Sequence, residues 1–202
     1  MAEKIKPVEK SKADEILEVG QEFIQTVGYD GFSYRDIADR VGIKSASVHY
    51  YFPSKSDLAL AVARQYRSDF ALALGKIGAD KAQPLDQLIS FTEIFQSTLK
   101  DLNRICLCGM LASEASSLPE SITAETKGFF SEQQTWISQT ISAGIKNGTI
   151  LPNVEPDAFA QTFLSALEGA MIMARGMEQP EYLAGVASHL ISMLRPAVAT
   201  EK

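Results

Sequence analysis

The chain of 202 residues and 22.0 kDa is long enough to bury a substantial core, as one large domain or two modest ones. Its formal net charge of -6 and pI near 5.0 exclude a protein that coats nucleic acid through bulk positive charge, so any such contact must be local. Cys106 and Cys108 are too few for a disulfide framework, no apolar run approaches the roughly 20 residues that span a bilayer, and "MAEKIKPVEKSK" lacks the apolar stretch of a secretion signal; a soluble, cytoplasmic protein is expected.

The opening arm sets Lys4, Lys6, Lys10 and Lys12 against Glu3 and Glu9, and Pro7 keeps it from being helical throughout. It reads either as a flexible extension that touches a polyanion or as a tail without function. Helix starts then follow with unusual regularity. Ser-x-x-Asp occurs at Ser11/Asp14, Ser33/Asp36 and Ser54/Asp57, and each pair can form a capping box, with serine and carboxylate satisfying each other's backbone N–H groups. Three boxes imply three helices. The first runs from about Lys12 to Val27, with Ala13, Leu17, Phe23, Ile24 and Val27 on one face and Gly28 and Gly31 ending it. The second runs from Tyr34 to Val41 and stops at Gly42, leaving room for one short helix before Pro53. Helices this short need a shared interior, which Phe32, Ile37, Ala38, Val41, Ile43, Val48 and Phe52 supply.

Ala38, Gly42 and Val48 have the spacing of a helix-turn-helix: a small residue for close approach, a glycine for the tight turn, and an apolar plug on the second helix. With Val48 inward, Lys44, Ser45, Ser47, His49 and Tyr50 are left on the outer side, suited to the major groove of DNA. The alternative is an ordinary solvated helix. Against it stand His49, Tyr50 and Tyr51 in succession, aromatics that are costly on a surface without a partner. Residues 33–67 carry Arg35, Arg40, Lys44, Lys55, Arg64 and Arg67 against Asp36, Asp39 and Asp57, a weak basic patch in an acidic chain.

The block "GFSYRDIADRVGIKSASVHYYFPSKSDL" resembles the DNA-binding region of the TetR family of transcriptional regulators, through "DIA", "VGI", "YYF" and "SKSDL" without a gap. The resemblance implies an all-α homodimer, with an N-terminal three-helix helix-turn-helix domain (residues 1–54) on palindromic operator DNA. A C-terminal helical domain (55–202) would bind a small-molecule inducer and the second subunit. It also implies that Ser33, Tyr34 and Arg35 meet DNA from the second helix, that Lys44, Ser45, Ala46, Ser47, His49 and Tyr50 form the recognition helix, and that Lys55 binds a phosphate. The family often has serine or threonine where this chain has Lys44. Either the recognition helix starts one residue later under a Ser45 cap, or Lys44 itself makes a phosphate or guanine contact. A cation in the first turn of the fourth helix also opposes the helix dipole by about 0.3–1 kcal/mol, a penalty that a bound phosphate reverses; otherwise Lys55 is a solvated lysine.

Beyond it, "SDLALAVARQYRSDFALAL" reads as a linking helix broken by Gly75, Gly78 and Pro84, followed by helical segments near 85–101, 105–116, 120–147, 156–177 and 180–194. The last two are rich in small and apolar residues, among them Ala166, Gly169, Ala170, Ala184, Gly185 and Ala187. The resemblance assigns them to a four-helix dimer interface; plain intrachain core is the other reading. On a helix, Cys106 and Cys108 lie about 200° apart. One is therefore expected in the core and the other near a cavity or surface as a thiol sensor of electrophiles, with Cys106 favoured because Arg104 is close; the other reading is two inert structural thiols. Phe91, Phe95, Phe129, Phe130, Trp136, Phe163, Met171 and Met173 could line an apolar pocket or simply fill the core.

No cofactor or metal is expected, since Cys-x-Cys has no histidine nearby. An enzyme finds no support in a phosphate loop, a zinc motif or a nucleophile elbow, and Glu114 and Glu168 read as solvated helix carboxylates. The alternative to a regulator is a helical protein–protein interaction module without DNA binding. Enrichment of a palindrome from random genomic fragments separates the two.

Overall fold

The computed structural model describes residues 10–100 and 104–196, which hold nine helices and no strand. The three expected capping boxes all form. Ser11, Ser33 and Ser54 each accept from the N–H three residues on, while Asp14, Asp36 and Asp57 reach back to the cap, opening α1 (Lys12–Val27), α2 (Tyr34–Val41) and α4 (Lys55–Asp80). Gly42 closes α2 in the left-handed conformation, at φ 74°, where a Cβ would be strained. Between them stands α3 (Ser45–Tyr51). Residues 1–9, and with them Lys4 and Lys6 of the arm, lie outside the described residues.

α1 packs on α4, Gly20 facing Leu58 and Val62; Leu17, Phe23 and Ile24 of the expected face lie in or against the core together with Ile16, whereas Val27 is exposed. α2 lays Tyr34, Ile37 and Ala38 inward, and Val48 is the one buried side chain of α3. The remaining helices, α5 (Pro84–Lys100), α6 (Leu107–Ser113), α7 (Glu120–Lys146), α8 (Pro156–Gly176) and α9 (Glu181–Ser192), form the C-terminal body. Its centre is aromatic: Phe70 of α4 meets Phe91, Phe95 and Phe129 with ring centroids 5.1–6.3 Å apart, and Phe91 stacks on Trp136 and touches Phe163.

Two sequence expectations change here. Gly75 and Gly78 do not break α4, which runs unbroken to Asp80; both glycines face open space, where the cost of glycine in a helix is small enough for its neighbours to absorb. α6 is shorter than expected, and Cys106 precedes it in extended backbone (φ -48°, ψ 126°). The 200° separation of the thiols therefore does not hold, and both are buried.

Candidate functional site

α3 is presented outward by its single apolar anchor. Lys44, Ser45, Ala46, His49 and Tyr50 are exposed, Ser47 partly so, and Tyr50 shows 82% of its surface. The Tyr50 ring rests edge-on against Tyr51, with centroids 5.2 Å apart. Lys44 occupies the cap position of α3 with no side-chain capping bond, and the helix begins at Ser45, so a Ser45 cap is not what compensates for the departure at Lys44. His49 is held from behind, its ring 4.6 Å from that of Tyr34 and its Nδ1 3.3 Å from the Pro53 carbonyl.

Two residues expected at the DNA are turned inward. Tyr34 is buried, and its hydroxyl donates to the carbonyls of Phe52 (2.9 Å) and Ser54 (2.5 Å), fixing the α3–α4 turn; burial, chiefly, pushes its phenol up to about 12. Lys55 donates from Nζ to the Phe32 carbonyl at 2.5 Å, with its ammonium 4.3 Å from the Phe32 ring centroid and 4.9 Å from that of Tyr29. Burial holds its pKa below the usual lysine value. The dipole penalty at Lys55 is thus offset inside the chain, by a carbonyl and two rings. The Ser33 hydroxyl is engaged with Asp36, whereas Arg35 is exposed.

The basic patch is likewise narrower than its composition. Arg40 pairs with Glu22 at 3.0 Å, Arg64 with Glu125 at 3.0 Å, and Arg67 with both Glu125 (2.8 Å) and Glu132 (2.6 Å), tying α4 to α7. In the arm, Lys10 pairs with Glu18 and Lys12 with Glu15. Among the described residues, Arg35 and Lys44 are the members of the 33–67 patch that make neither an ion pair nor an inward contact.

The end of α1 is gripped by the C-terminal body. Ile105 N–H donates to the Gln25 carbonyl and the Gln25 amide donates back to the Ile105 carbonyl, both at 3.1 Å. The Tyr29 N–H donates to Glu114 at 2.7 Å, and Arg175 of α8 donates to the Thr26 carbonyl. Glu114 is therefore no solvated carboxylate; it caps the turn after α1.

Nor is Glu168 solvated. Both its oxygens are sealed from solvent without a well-formed hydrogen bond, and burial pushes its carboxyl up to about 7. Cys106 lies beside it and receives the Tyr66 hydroxyl at 3.8 Å. Burial, then the Glu168 carboxyl, push both thiols upward, so neither is a ready thiolate, and Arg104 is 3.4 Å from Glu22, its charge directed to that carboxylate. A narrow cleft between α4 and α5, too tight for a water molecule, is walled by Tyr66, Phe70, Ile94, Phe95, Thr98, Cys106 and Met171. Sequence reasoning missed Tyr34 as a buttress although 34, 37, 38 and 41 share a helical face, and missed Glu168 although it falls at helical spacing between Leu164 and Met171.

A family model described as bacterial regulatory proteins, tetR family, matches residues 16–62, and one described as tetracyclin repressor-like, C-terminal domain, matches residues 84–190. The transcriptional regulator AcuR of Cereibacter sphaeroides is 27% identical over 171 residues, covering 83% of this chain and 78% of that protein. A TetR-family regulator from Agrobacterium tumefaciens superposes with a TM-score of 0.88 at 31% identity, covering 92% of this chain and 98% of that one. A TetR regulator from Legionella pneumophila does so with a TM-score of 0.84 at 30% identity, covering 94% and 100%. With its exposed reading helix, its helical body and likeness along nearly the whole length, this chain belongs to the TetR family of transcriptional regulators.

Proposed function

We propose that the chain is a cytoplasmic homodimeric repressor that reads a palindromic operator and releases it when a small inducer enters the C-terminal body. The observation that carries the reading is the outer face of α3, where Tyr50 is 82% exposed opposite a fully buried Val48. Arg35, Lys44, Ser45, Ala46, Ser47, His49 and Tyr50 would meet DNA, the arginine and lysine on phosphates or guanine and the phenol and hydroxyls on backbone or base edges. Ser33, Tyr34 and Lys55 would act one layer behind: they set the start of α2, the α3–α4 turn and the α1–α2 loop on which that face stands. Residues 1–54 would form the reading domain and 55–202 the effector and dimer domain.

Dimer formation is supported by the outer faces of α8 and α9. From Gln161 to Met177, and from Tyr182 to Met193, no exposed residue is acidic or basic apart from His189, and Ile172, Met173, Met177 and Met193 are all exposed. A surface helix normally carries charge on its solvent side. Two copies joined there would present two reading helices to successive turns of DNA. Release would follow if the inducer favours an arrangement in which the grip on Gln25, Thr26 and Tyr29 shifts α1. The test is selection from random genomic fragments: an enriched palindrome, lost with Tyr50→Ala, supports the regulator, and no enrichment at low salt supports an interaction module instead.

A further inference from the structure

Among the described residues, the atoms buried without a partner are Arg104 Nε, Gln133 Oε1 and the two carboxyl oxygens of Glu168. Only Glu168 leaves both oxygens of one ionisable group without a well-formed hydrogen bond, the Cys106 thiol being the polar group at its side, and such an arrangement disfavours the charged form. Among the described residues, no cation is paired with it. Arg67, the cation that bears on neighbouring Cys108, is committed to Glu125 and Glu132. The carboxyl leans on Gly109, where a Cβ would come within 2.6 Å of Oε2, so the backbone there leaves it room. A run of polar groups leads to it from the cleft: the Tyr66 hydroxyl touches Cys106 Sγ, and the Cys106 thiol borders the carboxyl. The cleft itself contains no basic side chain, and its walls include the rings of Tyr66, Phe70 and Phe95.

We propose that Glu168 anchors the effector of this regulator, and that the effector is a small organic cation: a protonated amine on an apolar body, the ammonium on Glu168 and the body among Tyr66, Phe70 and Phe95. The inference rests on the regulator reading above and supplies the ligand class for it. An ammonium satisfies the orphaned oxygens and gains from aromatic faces. An anionic effector would meet the ionised form of Glu168 with no counter-charge, and a neutral one would give that form nothing to pair with, leaving burial to favour the protonated acid. The cleft is too narrow to admit water as it stands, so a ligand must part its walls. Cys106 lies on the path, and the residue before it, Ile105, shares two hydrogen bonds with Gln25 of α1. Occupation therefore pushes on the segment that holds the reading unit.

The test uses the full chain and three matched probes, benzylammonium, benzyl alcohol and benzoate, titrated calorimetrically at about pH 6 and about pH 8. Tyr66, Cys106 and Cys108 are pushed up by burial and stay neutral over this range, and Glu125, facing from α7, is held ionised by Arg64 and Arg67. Glu168 alone of this cluster titrates in the window. The expected result is binding of benzylammonium, roughly tenfold tighter at the higher pH, at least about tenfold over benzyl alcohol, with no binding of benzoate. Glu168→Gln should abolish the preference, and the pH series on the unaltered chain tests the same point without any substitution. Equal binding of alcohol and ammonium, cation binding retained by Glu168→Gln, an affinity independent of pH, or no saturable binding of any probe would each overturn the proposal. Binding of ligand-free protein to its selected DNA, measured on the same preparation, reports on the regulator reading separately.

Discussion

Tyr34 and Tyr50 carry the same phenol and do opposite things. Tyr34 spends its hydroxyl on two carbonyls of the turn behind α3, so Tyr34→Phe should cost about 0.5–1.5 kcal/mol in denaturant unfolding, because a part-buried hydrogen bond to that turn is lost. Tyr50 has almost nothing to lose in the free protein. Tyr50→Ala should leave stability within about 0.5 kcal/mol and weaken operator binding by roughly 10- to 100-fold in a mobility-shift titration, the loss expected for an aromatic contact. Lys55→Ala should lower stability, since its ammonium bridges Phe32 and Tyr29. The salt slope of DNA binding should stay unchanged; a fall of about one in that slope would mean that Lys55 swings out to a phosphate. Glu168 makes a prediction in pH. Its folded pKa near 7 lies above the ordinary carboxyl value of 4.5, so the folded state holds the proton more tightly. Stability from this group is present below about pH 4.5 and is lost as pH rises to about 7, on the order of 3 kcal/mol. Relative to Glu168→Gln, the native chain should weaken across that window in paired unfolding curves, and parallel curves would show the carboxyl to be unperturbed.

At the scale of the element, legibility followed locality. The capping boxes of α1, α2 and α4 join residues three apart, and all three formed as read. The bounds of α5, α7, α8 and α9 lay within two residues of expectation because Pro84, Gly148, Pro156 and Pro180 punctuate them. What failed needed information from elsewhere in the fold. Glycine weakens a helix without stopping one whose neighbours pack, so α4 passed through Gly75 and Gly78. Replacing either by alanine should stabilise the protein by about 0.5–1 kcal/mol, since neither site has a neighbour for a new methyl to strike; a loss in thermal unfolding would reveal an unseen contact. The 200° separation of the thiols failed because the helical phase was assumed to reach Cys106, which belongs to the segment before α6; Cys106 nonetheless borders the cleft while both thiols are buried. Glu114 on Tyr29 and Lys55 on Phe32 join residues 85 and 23 apart in sequence, and no periodicity encodes such pairs. The outward face of α3 was legible because one apolar residue, Val48, sets its orientation.

For the whole molecule, the charge map changes meaning once the pairs are known. Most of the basic side chains counted between 33 and 67 are spent within the chain, Arg64 and Arg67 on α7 and Arg40 on α1. DNA recognition by one copy would then rest on few phosphate contacts, and pairing of copies becomes the natural source of affinity. Ile172→Lys, on the uncharged outer face of α8, should convert the protein to a monomer in sedimentation and cost far more DNA affinity than one lost contact. An unchanged mass would move the dimer surface elsewhere.

The unbroken course of α4 carries a mechanical consequence. At 26 residues it is a rod of roughly 39 Å, whose first turn stands beside the α3–α4 turn and whose middle meets α7 through Arg64 and Arg67. A rod pinned near its middle amplifies angle into displacement. Tilting it by about 5° about that pivot would move its tip by about 1.4 Å, and a second copy tilting the opposite way would double the change in the span between the two α3 helices. DNA tolerates little error in that span, because its grooves recur at a fixed pitch. On the proposed reading, a ligand that wedges between α4 and α5 would have no need to touch the DNA-binding unit: it would act as a fulcrum shim, and the geometry of the double helix would do the discriminating.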